Sequence, residues 1–290
     1  MDNKEPPLKY YLYVILAGVC WGLTGTLQGL APAGASSLTV GSIRMTASGF
    51  FLLLFTFARR DFSVFRRRWN VGGLLITALA QVMYQLSFFS AVRLTGVALG
   101  TMIAVGTSPA IAGLFGRLFF KERLSVTWYF STALAVVGCA MLVFGNAAGN
   151  LKVDFLGCLL ALCASVSYTF VGVGLRRVGN REPLQTTTLV VTIAGILVLP
   201  VLALGDTSWM SSLRGACIVL VLSVVSTILP LMFFAAGVQK ISLGRAYTLS
   251  LSEPLTASLL AVFILREKMA PVSVAGAALI FFSIYILSKR

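Results

Sequence analysis

Apolar side chains run along this chain in blocks of about twenty residues, separated by short stretches that hold most of the charge. A helical block of that length, at about 1.5 Å per residue, matches the ~30 Å hydrocarbon core of a bilayer. The pattern predicts ten helices, over 10–29, 38–57, 71–91, 97–118, 126–144, 154–175, 185–203, 215–236, 244–264 and 271–288. The connections are short, so successive helices should run antiparallel, and none leaves room for a separate soluble domain. The predicted fold class is therefore an all-α polytopic membrane protein.

Composition agrees. Of 290 residues, 58% are apolar and 11% charged, and the mean hydropathy is +0.93. A soluble domain carries about 25% charged residues, so soluble, disordered and fibrous classes are excluded. The absence of histidine removes His-based catalysis, His metal ligands and His pH sensing together. The net charge of +14 lies between apolar blocks, where it orients a membrane protein and meets anionic lipid; nucleic acid is not an expected partner. Seventeen Lys and Arg fall on one predicted side, including Arg59, Arg60, Arg66, Arg67 and Arg68; five fall on the other, and Arg44 lies within a span. This asymmetry puts both termini in the cytoplasm. Met1–Pro7 is polar with no cleavage site after it, so the first block is expected to stay as a span. Cys20, Cys139, Cys158, Cys163 and Cys217 all lie in apolar blocks without CxxC spacing, and are expected as buried small hydrophobes.

The chain also repeats. A shift of 145 residues brings Leu86–Leu142 onto Leu231–Leu287, aligning Phe88 with Phe233, Phe89 with Phe234, Pro109 with Pro254 and Glu122 with Glu267. Lys121-Glu122-Arg123 and Arg266-Glu267-Lys268 coincide, and a shift of 147 aligns the first and sixth blocks, placing Trp21 on Tyr168. Two halves follow, 1–146 and 147–290, each with five predicted helices. Five is odd, so the second copy enters the membrane from the opposite side, the inverted-repeat arrangement that many secondary transporters use to hold a site at mid-membrane.

Five-plus-five spans, Trp21-Gly22, the run Phe88-Phe89-Ser90-Ala91, and Pro109…Glu122 beside Glu253-Pro254…Glu267 resemble the EamA branch of the drug/metabolite transporter superfamily. The resemblance covers about residues 10 to 288. It implies export of amino acids or related small metabolites across a bacterial inner membrane by alternating access; drug, cation or nucleotide-sugar carriers are the alternative within the superfamily, and a non-transport membrane protein is the alternative outside it. The first half departs from the second in having Ser108 where the second has Glu253, so carboxylate chemistry is one-sided.

Candidate transport residues are those that break the apolar pattern. Glu253 is the only acid deep within a span, and such a group normally faces a cavity or a partner, at a cost of about 2.5–3.5 kcal/mol at a helix centre. It could carry a proton, bind a substrate ammonium, or be structural beside Pro254. Arg44 is the basic counterpart, able to bind a substrate carboxylate or to pair with Glu253. Thr77, Gln81, Tyr84, Gln85 and Phe88 share one helical face; Trp21, Thr24, Gly25 and Gln28 form a second, and Tyr247, Ser250 and Glu253 a third. With Ser108 and Tyr168 they are the candidate cavity lining, although hydroxyls and amides can equally join helices. Gly96, Gly100, Ala104, Ser108, Ala112 and Gly116 recur every fourth residue and permit close packing. Pro109 and Pro254 are candidate hinges or static kinks, each freeing a carbonyl at Val105 or Ser250. No phosphate loop, carboxylate dyad, Ser-His pair or metal-ligand spacing is present, so neither enzyme chemistry, cofactor nor metal is expected. The expected partners are a small-molecule substrate and membrane lipid, with protons as candidate coupling ion; monomer and homodimer are both open.

Overall fold

The computed structural model describes residues 6–32, 34–145, 153–264, 266 and 269–289. Glu267, Lys268 and three further cations of the charge count (Lys4, Lys152 and Arg290) lie outside the described residues. Helices α1 (Leu8–Gly29), α2 (Ser37–Ala58), the single turn α3 (Ser63–Arg66), α4 (Val71–Thr101), α5 (Ser108–Phe120) and α6 (Val126–Gly145) form the first half. The second holds α7 (Phe155–Val178), α8 (Pro183–Ala203), α9 (Leu213–Ser223), α10 (Leu229–Val238), α11 (Leu243–Leu249), α12 (Ser252–Phe263) and α13 (Pro271–Ser288). No strand occurs among the described residues. Eight helices, or continuous helical runs, are long and apolar enough to cross a membrane.

Local sequence sets many helix starts. Asn70 accepts a hydrogen bond from the N–H of Gly73 at 3.0 Å, Asp154 from Gly157 at 2.7 Å and Ser212 from Gly215 at 3.0 Å, each satisfying a first-turn donor. Pro183 and Pro271 open α8 and α13, where a missing N–H costs nothing.

The structure differs from the ten-block reading inside the membrane. Instead of separate helices over 71–91 and 97–118, one helical run of 50 residues extends over Val71–Phe120. Its non-helical residue within α4 is Gly96, at φ 82° and ψ 165°, a conformation open to glycine and costly for other residues. Val92–Thr95 continue the helix because nothing in that stretch stops one. The same run widens at a π-helical stretch, Met102–Gly106, before α5 starts with Pro109 as its second residue. A second π-helical stretch, Val224–Ile228, separates α9 from α10. The predicted helix 244–264 is broken at Ser250–Leu251, so that α11 and α12, of 7 and 12 residues, are each too short to span alone. Both prolines thus sit in the first turn of a restarted helix, next to the interruption that precedes it. The carbonyls they free are satisfied: Val105 accepts from Ser108 Oγ at 2.7 Å and Ser250 from the Glu253 N–H at 2.9 Å.

Packing joins the two halves throughout. Helix α4 packs on α7, α2 on α8, α6 on α13, α5 on α11, and α1 on both α10 and α12. Small residues and hydroxyls make these approaches close. Ser283 donates to the Ser131 carbonyl at 2.7 Å, Thr132 and Thr248 share a hydrogen bond of 2.9 Å, and Ala104, Ser108 and Ala112 of the small-residue stripe are buried. Of the cysteines, all free, only Cys139 is buried; Cys20 and Cys158 are intermediate, and Cys163 and Cys217 are exposed. Apolar surroundings do not mean a protein interior, since half of a spanning helix faces lipid.

Candidate functional site

The break in the α11–α12 segment places the amino end of a helix among the packed helices. Glu253 is its second residue, where the positive end of the helix dipole favours an anion. Its side chain is half-buried, and among the described residues the carboxylate has no hydrogen bond or ion pair. Arg44 of α2, also half-buried, does not contact it. The guanidinium instead donates from Nη1 to the Ser226 carbonyl at a long 3.4 Å, within the π-helical stretch that loosens the carbonyl ladder there. Arg44 and Glu253 are nonetheless within electrostatic reach of each other, and Tyr84 shares the field of both. A direct Arg44–Glu253 pair, one of the sequence readings, is absent from this structure.

Aromatic rings cluster in the same region, and two of them, Tyr84 and Tyr168, lie within electrostatic reach of Glu253. Trp21 of α1 meets Tyr168 of α7 edge-on, with ring centroids 5.8 Å apart, and Phe234 of α10 at 5.4 Å. Tyr84 lies 5.1 Å from Tyr168 and stacks on Phe88 at 5.6 Å. Trp21, Tyr84 and Phe88 are half-buried. Tyr168 is buried beside Ser250, and among the described residues its hydroxyl has no partner that meets hydrogen-bond geometry. A wall of π faces next to an unpaired carboxylate suits a cation, and the separate guanidinium suits a carboxylate.

Helices α1 and α12 form a wedge over this region. Ser252 Oγ donates to the Ile15 carbonyl at 3.1 Å, and a Cβ on Gly22 would come within 2.7 Å of the Glu253 carbonyl oxygen. One and two turns further along α1, Gly25 and Gly29 have no such neighbour within 4 Å. The two helices therefore touch at Gly18 and Gly22 and part beyond them. Thr24 and Gln28, half-buried, lie on this parting stretch.

The remaining sequence candidates divide. Tyr247 is fully buried: its hydroxyl donates to the Tyr168 carbonyl at 2.5 Å and accepts from the Gly172 N–H at 3.1 Å. Ser250 and Ser108, also fully buried, bond the carbonyls of Tyr247 and Val105. In this structure all three are spent on backbone hydrogen bonds around the broken helices. The face on α4 is likewise split by its neighbours. Thr77 is buried and bonds the Gly73 carbonyl at 2.7 Å, Gln85 is buried against Gly41 with no hydrogen-bond partner among the described residues, and Gln81 is half-buried. Tyr84 and Phe88 are the part of that face that joins the aromatic wall. The sequence reading missed the Ser226 carbonyl and Phe234; the former carries no side-chain signal at all, whereas the latter aligned with Phe89 in the repeat.

The chain matches the family model described as the EamA-like transporter family twice, over residues 8–144 and 155–289. It is 36% identical to the Bacillus subtilis transporter YwfM over 282 residues, covering 96% of this chain and 93% of that protein. The inner membrane transporter YicL of Salmonella typhimurium is 25% identical, with 97% and 95% covered, and the Escherichia coli inner membrane transporter YedA is 23% identical, with 96% and 89% covered. A solved crystal structure superposes with a TM-score of 0.81 at 18% identity, covering 96% of this chain and 95% of that one, which shows a shared fold.

Proposed function

The chain belongs to the EamA-like transporter family of the drug/metabolite transporter superfamily, and from that premise we propose that it is a secondary transporter exporting amino acids or related small metabolites. It is an integral membrane protein whose family and relatives point to transport rather than enzymatic chemistry. The observation that carries the substrate class is the separation of charge. Glu253 and Arg44 lie half-buried in one aromatic-bordered region, close enough to interact and not paired. A zwitterion would satisfy both at once, ammonium on Glu253 and carboxylate on Arg44, with its side chain against Trp21, Tyr84 and Phe88. Thr24, Gln28 and Gln81 complete the proposed lining, and Glu253 is the proposed carrier of a coupling proton.

Alternating access requires two exchangeable halves, and we propose ten spans in two inverted five-helix repeats, with both termini cytoplasmic. Gly96 would divide the 50-residue run into two crossings, and α11 with α12 would make one. Contacts between the halves support this. A Cβ on Gly49 would lie 2.9 Å from Thr192 Cα, and one on Gly195 would lie 3.0 Å from Thr46 Cα. Both 195 − 49 and 192 − 46 equal 146, so one contact is the other under the repeat. Likewise the Ser283–Ser131 hydrogen bond maps onto the close approach of Gly138 and Gly276, because 283 − 138 and 276 − 131 both equal 145. Self-complementary contacts of this kind are what a two-fold relation between the halves would produce, and they support the proposed repeat. Lys121 and Arg266, also 145 apart, both adopt a left-handed backbone, with φ 53° and 55°.

Uptake and counterflow in proteoliposomes, against a panel of amino acids, amines, purines and cationic drugs, test the reading. Amino acids should be transported, Glu253→Gln should weaken amine-bearing solutes, and Arg44→Gln should weaken those with a carboxylate. If Glu253 carries the proton, its Gln variant should also lose the pH dependence of net transport while retaining exchange. Loss of cationic drugs in Glu253→Gln, with Arg44→Gln unaffected on every solute, would favour a drug or cation carrier. Wild-type affinity, rate and pH profile in both well-folded variants would remove the site.

A further inference from the structure

The proposed site opens where α1 and α12 part; at another end of the bundle a cluster ties together the ends of α5 and α7, the segment after α10 and the start of α11. Helix α5 ends with Lys121 in the left-handed region (φ 53°), which turns Glu122 back beneath the bundle. Both carboxylate oxygens of Glu122 accept the Leu243 N–H at the start of α11, at 3.1 and 3.0 Å. Arg176, near the end of α7, forms an ion pair with Glu122. The same guanidinium donates from Nε to the Val238 carbonyl at 2.7 Å and from Nη2 to the Ile241 carbonyl at 2.8 Å, while lying over the Phe120 ring at 5.0 Å. Side-chain exposure is 17% for Arg176 and 10% for Glu122. Gly116 makes room, since a Cβ there would strike the Glu122 carboxylate.

We propose that Glu122, Arg176 and the amino end of α11 are a releasable latch that closes the basic end of the transport pathway, an inference that rests on the transporter reading. Three features distinguish it from a simple staple. It crosses between the halves, joining Glu122 of the first to Arg176, Val238, Ile241 and Leu243 of the second. It binds helix-end N–H and carbonyl groups, which water can satisfy equally well once the segments part. It also pulls on α11, which is joined through the Ser250–Leu251 break to α12 and Glu253. Occupancy of the site and closure of that end are thus mechanically connected through one broken helix. The structure shows the state with this end shut and the α1–α12 wedge open beyond Gly22.

Spin labels at exposed Lys121 and Lys240, one in each half, report this end directly in protein whose five native cysteines have been replaced. The unsubstituted latch should give mainly the short distance. Glu122→Gln or Arg176→Gln should raise the ratio of long to short components by about tenfold or more, the factor that losing charge-assisted hydrogen bonds implies. Arg176→Lys, which keeps the charge and can serve only part of the acceptor set, should fall between. An unchanged distance distribution in folded variants overturns the latch, as does failure of all three variants to fold, which would make the cluster a staple of the fold. A clear distance shift in protein that transports no solute would count against the transporter reading and not against the latch; active transport with unshifted variants would do the reverse.

Discussion

Two glycines one turn apart on α1 offer a controlled measurement of how closely that helix meets the Glu253 segment. A Cβ at position 22 would lie 2.7 Å from both the Glu253 carbonyl oxygen and Thr256 Cβ, and 3.1 Å from the Ala257 nitrogen. Ordinary contacts between such atoms are about 3.5–4.0 Å, so Gly22→Ala must push α1 and α12 apart by roughly 0.5–1 Å. Two of the three atoms are backbone and cannot swing aside. Overpacking of this kind costs about 1–3 kcal/mol. Gly25→Ala meets nothing within 4 Å. Both changes gain the same helix propensity, up to about 1 kcal/mol, which cancels in the comparison. The difference between the variants, about 1–3 kcal/mol, is therefore the steric term alone. Denaturant-induced unfolding of both proteins in one detergent gives that difference, and transport assays on the same preparations give its functional side. Gly22→Ala should be the less stable and, by shifting Glu253, should lose transport rate; Gly25→Ala should be at least as stable as the parent. Variants equal within about 0.5 kcal/mol would refute the wedge, because that is the spread of ordinary surface changes. A stable Gly25→Ala protein with no transport would instead show that this gap closes during the cycle.

Tyr247→Phe removes the bonds to the Tyr168 carbonyl and the Gly172 N–H, leaving both buried, and should lower stability by about 1–3 kcal/mol while leaving the ratio of affinities for different solutes unchanged. Tyr84→Ala should change that ratio, since its half-buried ring borders the proposed site; unaltered selectivity would move Tyr84 to the supporting group. Gly96→Ala has open space around it, so its expected loss of about 1–3 kcal/mol in unfolding experiments comes from the left-handed backbone alone. Reporter fusions after Arg68, Arg123 and Arg181 should lie in the cytoplasm, and those after Ala35, Gly205 and Arg266 on the far side. Arg123 and Arg266 on one side would end the inverted-repeat argument.

Local sequence was enough to mark an all-helical membrane protein, because backbone in lipid must satisfy its own hydrogen bonds and an apolar helix does so within one segment. Caps such as Asn70 and Asp154 act within three residues, a local signal that the reading by apolar blocks did not use. Periodicity also singled out Glu253, Arg44, Trp21 and Tyr84, since a polar or aromatic group in an apolar block is costly wherever the helix turns it. What faces such a group is another matter. Tyr84 and Tyr247 arise from the same pattern, yet one borders the proposed site and the other is sealed against the backbone of α7. Thr77 and Gln85 likewise share the Tyr84 face and are buried by α7 and α2. The breaks at Ser250–Leu251 and in the two π-helical stretches each lie just before a proline, Pro254, Pro109 and Pro230, whose missing N–H interrupts the helical ladder; the sequence marks the place, and the packing decides the form the break takes. Glu122 was visible as half of a repeated motif, but its partners are 54 and 121 residues away in the chain, at Arg176 and Leu243. Only the packing of one half against the other brings those groups within hydrogen-bonding distance, and no local pattern encodes a contact between segments that meet only after the fold is complete.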